Sequence, residues 1–470
     1  MKWTALTILL ILSITAGAQN PYDLDRKLGK ENAALVEFQF GILDDAERTA
    51  YIASVGNRLV DALDTTYFPF SFQIVPTIEP NAFALPGGYC YVTTGLLELL
   101  TTEEELACVL AHEIIHAQNR HGVKLQKKAI LPALLSIPGN ILGVFNDDLG
   151  ALVNAPINAS GALVMAKYGR GFETEADTEG VKLAAKAGYD PAALISALQK
   201  LSEVVQLATG HVEERSYLND HPITADRVKR IEGMLEGLRV EPIAPLGALN
   251  ETVDGLLVGA PIEYGRTPGD TTILLPAHDV SIALEDGFQT QVYASAVMAA
   301  NEKSKSALAL GRLPDTTTLE ATVRTMRQNL KELPEGYLLA DEDITQGGFK
   351  GHRIIFIDPS SRNRSHYYLL WIRTSEGVLQ IVGLAPDGYT GGIERTMASL
   401  RPLNDREKSK MTQRFMVIEK AQNGENLEAV SVRTKNTMTP EMTALINKRP
   451  QEEILPEGAE IRVVILKPYF

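Results

Sequence analysis

This chain of 470 residues has almost no cysteine: Cys90 and Cys108 are the only two. At most one disulfide is therefore possible. One thiol falls in an expected strand and the other inside an expected helix, both among apolar neighbours, so two buried free thiols are expected. Positive charge is also scarce, with 45 Lys and Arg against 59 Asp and Glu and a net charge of -14. That balance argues against general nucleic-acid binding. No apolar run approaches the roughly 20 residues of a membrane-spanning helix. Internal repeats and low-complexity tracts are absent as well.

An apolar content of 45% and a charged content of 22% are those of a soluble globular protein, and the length predicts two or three domains. The N-terminus reads as a targeting segment. Lys2 precedes Leu6, Ile8 to Leu12 and Ile14, and Ala16-Gly17-Ala18 closes the run. This is the pattern of a secretory signal peptide over residues 1–18, cut after Ala18. With no cysteine following the run, a lipoprotein anchor is not expected.

The pentapeptide His112-Glu113-Ile114-Ile115-His116 is the strongest chemical signal. Thr101 and Thr102 stand before Glu104 and Glu105 at capping-box spacing, and Leu106, Val109 and Leu110 continue a helical period, so the pentapeptide lies well inside a helix. Residues four apart share a helix face, which lets His112 and His116 bind one Zn²⁺ while Glu113 serves as general base. A catalytic zinc ordinarily has three protein ligands and one open position. His121 comes five residues after His116 and is followed directly by Gly122, which is not metzincin spacing. A carboxylate from a second helix is the expected third ligand.

Glu173-Thr174-Glu175-Ala176-Asp177 heads such a helix. With it the chain resembles the HtpX and CAAX-prenyl-endopeptidase family of gluzincin metallopeptidases, of the soluble periplasmic type. The resemblance implies Glu173 as third ligand to one Zn²⁺ per chain, with Asp177 in the family's aspartate position. Asp177 lies one turn further on the same face, where it could hold a ligand imidazole. Glu175, offset by two residues, should face away. Asn81 to Tyr89 and Val92 to Leu97 resemble the family's edge strand and turn, an edge that can bind extended peptide by strand addition. Asp220-His221-Pro222 with Arg227 resembles its His-Pro segment. His221 could stabilise the oxyanion or occupy the open zinc position in a resting state.

The expected fold is α+β and multidomain. A mainly helical gluzincin domain with a small edge sheet spans 19–240, and Pro242, Pro245, Gly247 and Asn250 mark a linker. An α+β appendage follows over 250–405, with strands at Thr272 to Leu275, Ser281 to Leu284, Arg353 to Ile357 and Tyr367 to Ile372. A hairpin turns at Thr374 to Gly377, and one helix carries Val323, Met326, Leu330 and Leu333 on one side. Residues 412–470 have the plan strand, helix, helix, strand and resemble a LysM module, which implies peptidoglycan contact. An Asn stands where that motif's usual Asp-Thr pair would begin. Residues 129–165 are apolar but broken by Pro132, Pro138, Gly139, Asn140, Asp147 and Asp148; short helices over a cleft, with peripheral membrane contact, are expected. The activity implied is proteolysis of misfolded or unassembled envelope proteins in the periplasm. A chaperone or assembly factor using the same cleft is the alternative.

Overall fold

A computed structural model describes residues 22–128, 168–209, 221, 225–267, 269, 271–358 and 364–470. The signal-peptide segment and the apolar 129–165 interval lie outside the described residues. Among those described, no helix is long and apolar enough to cross a membrane.

The first part opens with helices α1 (Asp23–Phe40) and α2 (Ala46–Asp61), followed by strands β1 (Ser71–Val75), β2 (Ala82–Leu85) and β3 (Tyr89–Thr93). The strands form a small sheet in the order β1-β3-β2. Strand β2 is antiparallel to β3 at its edge, where the sequence places the substrate-side strand. The short helix α3 (Thr94–Leu99) leads to α4 (Glu103–Gln118), which carries the His-Glu-x-x-His motif. Every residue of α4 from Glu105 to Gln118 is buried, so this helix is the centre of the core rather than an amphipathic wall. Thr102 caps it by accepting the Glu105 N–H at 3.2 Å. The reciprocal arm differs from a capping box: the Glu105 carboxylate takes the Thr101 N–H at 2.7 Å.

Besides α2, three later helices pack around α4. They are α5 (His121–Lys128) behind its C-terminus, α6 (Arg170–Lys186) across its face and α7 (Ala193–Thr209) alongside. Helix α8 (Ala225–Leu235) closes on α6 and α7. The α4–α6 crossing is tight at Gly180, where a Cβ would come within 3.2 Å of the His112 backbone. That closeness brings the first turns of α6 against the histidines.

The stretch read as a linker is pinned down. The backbone N–H groups of Leu246 and Gly247 donate to the Glu103 carboxylate at the head of α4. Helix α9 (Leu249–Val253) and the strand-like residues after it place Leu249, Val253, Leu256 and Val258 in the same core as α4.

The appendage is a seven-stranded antiparallel sheet covered on both faces. Its strands run from β6 (Gln289–Val292), β7 (Ala296–Asn301) and β8 (Ser306–Arg312) through β12 (Gly377–Ala385), β11 (His366–Thr374) and β10 (Phe349–Ile357) to β9 (Leu338–Gln346). Period-two alternation on β11 assigns the faces. Tyr368, Leu370 and Ile372 meet the layer built on β4 (Thr272–Leu275), β5 (Val280–Ala283) and α11 (Thr390–Ala398). Tyr367, Leu369 and Trp371 meet α10 (Leu319–Asn329). The expected hairpin is present, with Thr374 opposite Gly377, and Val323, Met326, Leu330 and Leu333 all pack on the sheet.

The tail has the expected plan: β14 (Thr412–Lys420), α13 (Leu427–Thr434), α14 (Pro440–Asn447) and β15 (Glu460–Pro468). It is built into the first part. Met416, Ile446 and Val464 belong to the α4 core, and Gly255 and Val258 hydrogen-bond along β14. Both cysteines are free and buried.

Candidate metal centre

The α-helical rise puts His112 and His116 on one face of α4, with their Nε2 atoms 3.0 Å apart. Glu173, in the first turn of α6, brings Oε1 to 3.4 Å from His116 Nε2 and Oε2 to 3.7 Å from His112 Nε2. His221 enters from the segment before α8, its Nδ1 at 3.2 Å from His112 Nε2 and 2.9 Å from Glu173 Oε1. One donor atom from each of these four buried residues lies within 4.8 Å of the others. Burial tends to raise the Glu173 carboxyl, but the three imidazoles outweigh it and hold it well below the carboxylate range. Burial drives His116 well down. His221 is driven down by burial too, yet the Glu113 and Glu173 carboxylates win and raise it.

Glu113 sits between the two histidines. Both of its carboxylate oxygens are buried and accept no hydrogen bond among the described residues, while His221 Nε2 stands 3.5 Å from Oε1. Burial pushes this carboxyl above its ordinary range. An unsatisfied buried carboxylate costs stability, and its presence beside four convergent donors is explained by a task rather than by packing.

Asp177 stands behind His112, with Oδ1 3.1 Å from Nδ1. Two guanidinium groups hold it there: Arg227 through two hydrogen bonds of 2.8 and 3.0 Å, and Arg230 at 3.0 Å. Burial raises the Asp177 carboxyl, but His112 and Arg227 together carry it well below its ordinary value. Arg227 is itself buried. It also donates to the His221 carbonyl at 3.1 Å and lies 3.2 Å from Glu173 Oε2, so one guanidinium ties three site residues together. Sequence reading noted Arg227 only as the arginine after the His-Pro pair. A charge recurring one turn into a helix gives no sign that it is buried.

His121 was the other omission. Its Nδ1 lies 2.9 Å from His116 Nδ1, and burial lowers its imidazole to about 4. Glu175 faces away from the four donors, as its helical offset requires, and turns to Asn119 at 2.8 Å and to His121.

The donors fit a divalent cation of borderline softness: imidazole nitrogens and one carboxylate converge from two helices and a loop, with a second carboxylate free beside them. This is the kind of donor set that metallopeptidases use. Comparison with known proteins agrees, since residues 46–235 match the description of Peptidase family M48. The beta-barrel assembly-enhancing protease of Yersinia pestis is 29% identical over 238 residues, covering 50% of this chain and 48% of that protein. Its namesake in Escherichia coli (strain K12) is 29% identical over 191 residues, covering 40% and 39%. The mitochondrial metalloendopeptidase OMA1 of Schizosaccharomyces pombe is 30% identical over 194 residues, covering 41% and 55%. The chain thus spans about half the length, or less, of these relatives.

Proposed function

We propose that the protein is a secreted, periplasmic zinc endopeptidase that hydrolyses misfolded or unassembled envelope proteins. The observation carrying this reading is the buried Glu113 carboxylate, free of hydrogen bonds among the described residues, beside four metal donors. A protein that only held clients would have no use for it. His112, His116 and Glu173 hold the metal, one per chain, and Asp177 fixes His112. Zinc bound there supplies Lewis-acid polarisation and acidifies water to a pKa of about 7. Glu113 takes the proton of the attacking water on a carboxylate oxygen and delivers it to the leaving amine. Strand β2, which pairs only with β3 among the described residues, binds the substrate as an added strand, so recognition rests on backbone and suits unfolded chains.

Residues 19–240 carry the chemistry in this scheme, and 250–405 and 412–470 position substrate, the latter through peptidoglycan if its LysM likeness extends to function. The signal-peptide pattern of residues 1–18 and the names of the relatives support the envelope setting. Zinc analysis with casein digestion tests the core of the proposal. Glu113→Gln should retain about one zinc per chain and lose digestion; digestion at the wild-type rate by that variant would overturn the assignment.

A second reading, an assembly factor with latched proteolysis, is favoured by one observation: His221 Nδ1 stands among the donors, where a fourth ligand would exclude water.

A further inference from the structure

The two ligand histidines are not supported alike. Behind His112 stands a carboxylate, Asp177. Behind His116 stands another imidazole, and the order of hydrogens between them is determined. Taking His116 as a ligand, its Nε2 is the atom that converges with His112 Nε2 and Glu173. Its hydrogen must then be on Nδ1. The atom 2.9 Å from that Nδ1 is His121 Nδ1, which has to accept, so His121 carries its own hydrogen on Nε2. That nitrogen is buried and has no hydrogen-bond partner among the described residues. It faces Glu175 Oε2 at 3.4 Å, and Asn119 holds the other Glu175 oxygen at 2.8 Å.

Ring packing fixes both planes. Tyr168 stacks on His116 with centroids 4.0 Å apart and planes 26° from parallel. Phe172 stacks on His121 at 4.4 Å and the same angle. The backbone supplies the placement: Asn119 ends α4, and Arg120 adopts a left-handed φ of 59°. This turn starts α5 so that His121 returns beneath His116. Arg120 is secured by two hydrogen bonds of 3.0 Å from Nε to the Asp25 carboxylate of α1.

We propose that His121 and Glu175 are positioning residues forming a relay, His116–His121–Glu175, that holds the His116 imidazole in its metal-binding tautomer and plane. Outer partners of ligand histidines typically set metal affinity by 10- to 100-fold. This inference rests on His116 being a ligand, and it gives Glu175, two residues from Glu173, a separate duty.

The test is zinc affinity of the full chain, measured by competition with a chromophoric chelator, alongside melting of the zinc-free protein. His121→Leu keeps a buried apolar group but no acceptor, and should weaken zinc about 10- to 100-fold with little change in zinc-free melting. His121→Asn places Oδ1 near the former Nδ1 and should recover most of the affinity. Glu175→Ala acts from a partly exposed position and should weaken zinc severalfold; it decides the matter if His121→Leu does not fold. Wild-type affinity in both His121→Leu and Glu175→Ala overturns the relay, as does failure of His121→Asn to bind better than His121→Leu. His116→Ala separates the underlying assumption: full zinc affinity there would refute His116 as a ligand, whereas lost affinity there with none lost in the relay variants would refute the relay alone.

Discussion

Glu173 and Glu175 show how much two positions on a helix can decide. One carboxylate points into the donor set and the other toward His121, which backs His116. The pentapeptide was legible from helical periodicity, whereas Glu173 and Asp177 were legible only through the resemblance to a family whose motif they match. His121 and Arg227 were not legible in the same way. The first acts through a left-handed turn at Arg120 that the sequence does not announce, and the second through a helix contact more than a hundred residues from the motif. His221 is the residue whose role is open to direct measurement. As a latch it blocks the fourth position, and His221→Ala should raise casein digestion at constant zinc content. If instead it donates to the oxyanion, the same variant should lose about 10²- to 10³-fold in kcat. His221 Nδ1 at 2.9 Å from the ligand carboxylate favours the rise.

At the scale of elements, the head of α4 receives more support than the middle that carries the motif. Glu103 accepts from Tyr51, Tyr189 and two backbone amides, and Glu105 takes both Lys200 and, from the tail, Lys448. Arg462 of β15 is buried and donates to the Glu98 and Leu100 carbonyls at the end of α3. Arg462→Met leaves those carbonyls unsatisfied and should cost about 1–3 kcal/mol, read as a lower melting temperature. Glu98 itself is pushed up to about 7 by burial, against the pull of Arg414 and Arg462. A raised folded pKa means the native state binds the proton more tightly, so this contribution is complete below about pH 4.5 and is lost as pH rises through about 7. Glu98→Gln should therefore melt higher than wild type at pH 8, by up to about 3 kcal/mol, and show no such gain at pH 4.5. Equal melting of the two proteins at pH 8 would contradict this.

Legibility at this scale followed side-chain pattern. Strands β10 to β12 are rich in Ile, Val, Tyr and Leu, and their positions could be read. The missed strands lack that signature: β6 is polar, β7 and β8 are built largely on Ala and Gly, and β9 carries Asp341-Glu342-Asp343 on an exposed edge. Their strand state comes from neighbours in the sheet rather than from their own residues.

For the whole molecule, a reading by segments suggested separable parts joined by a linker, and the packing is more integrated. The core around α4 includes Leu249, Val253, Leu256 and Val258 together with Met416, Ile446 and Val464. Such a closure cannot be read from local pattern, because each of these residues looks like the interior of its own small element. A fragment covering residues 22–240 should expose that apolar surface. It should melt well below the full chain or aggregate, and a fragment as stable as the full chain would show that the C-terminal contacts are dispensable.

Synthesis gives the same contact a temporal meaning. The motif helix leaves the ribosome more than three hundred residues ahead of Val464, a delay of roughly 20–70 seconds at common elongation rates. Until β15 arrives, the hydrophobic bed of α4 lacks one wall and Arg462 has not reached the end of α3. A chain interrupted before β15 therefore carries the His112-to-His116 motif with part of its surrounding core missing. The core around α4 is thus complete only once β15 has been added.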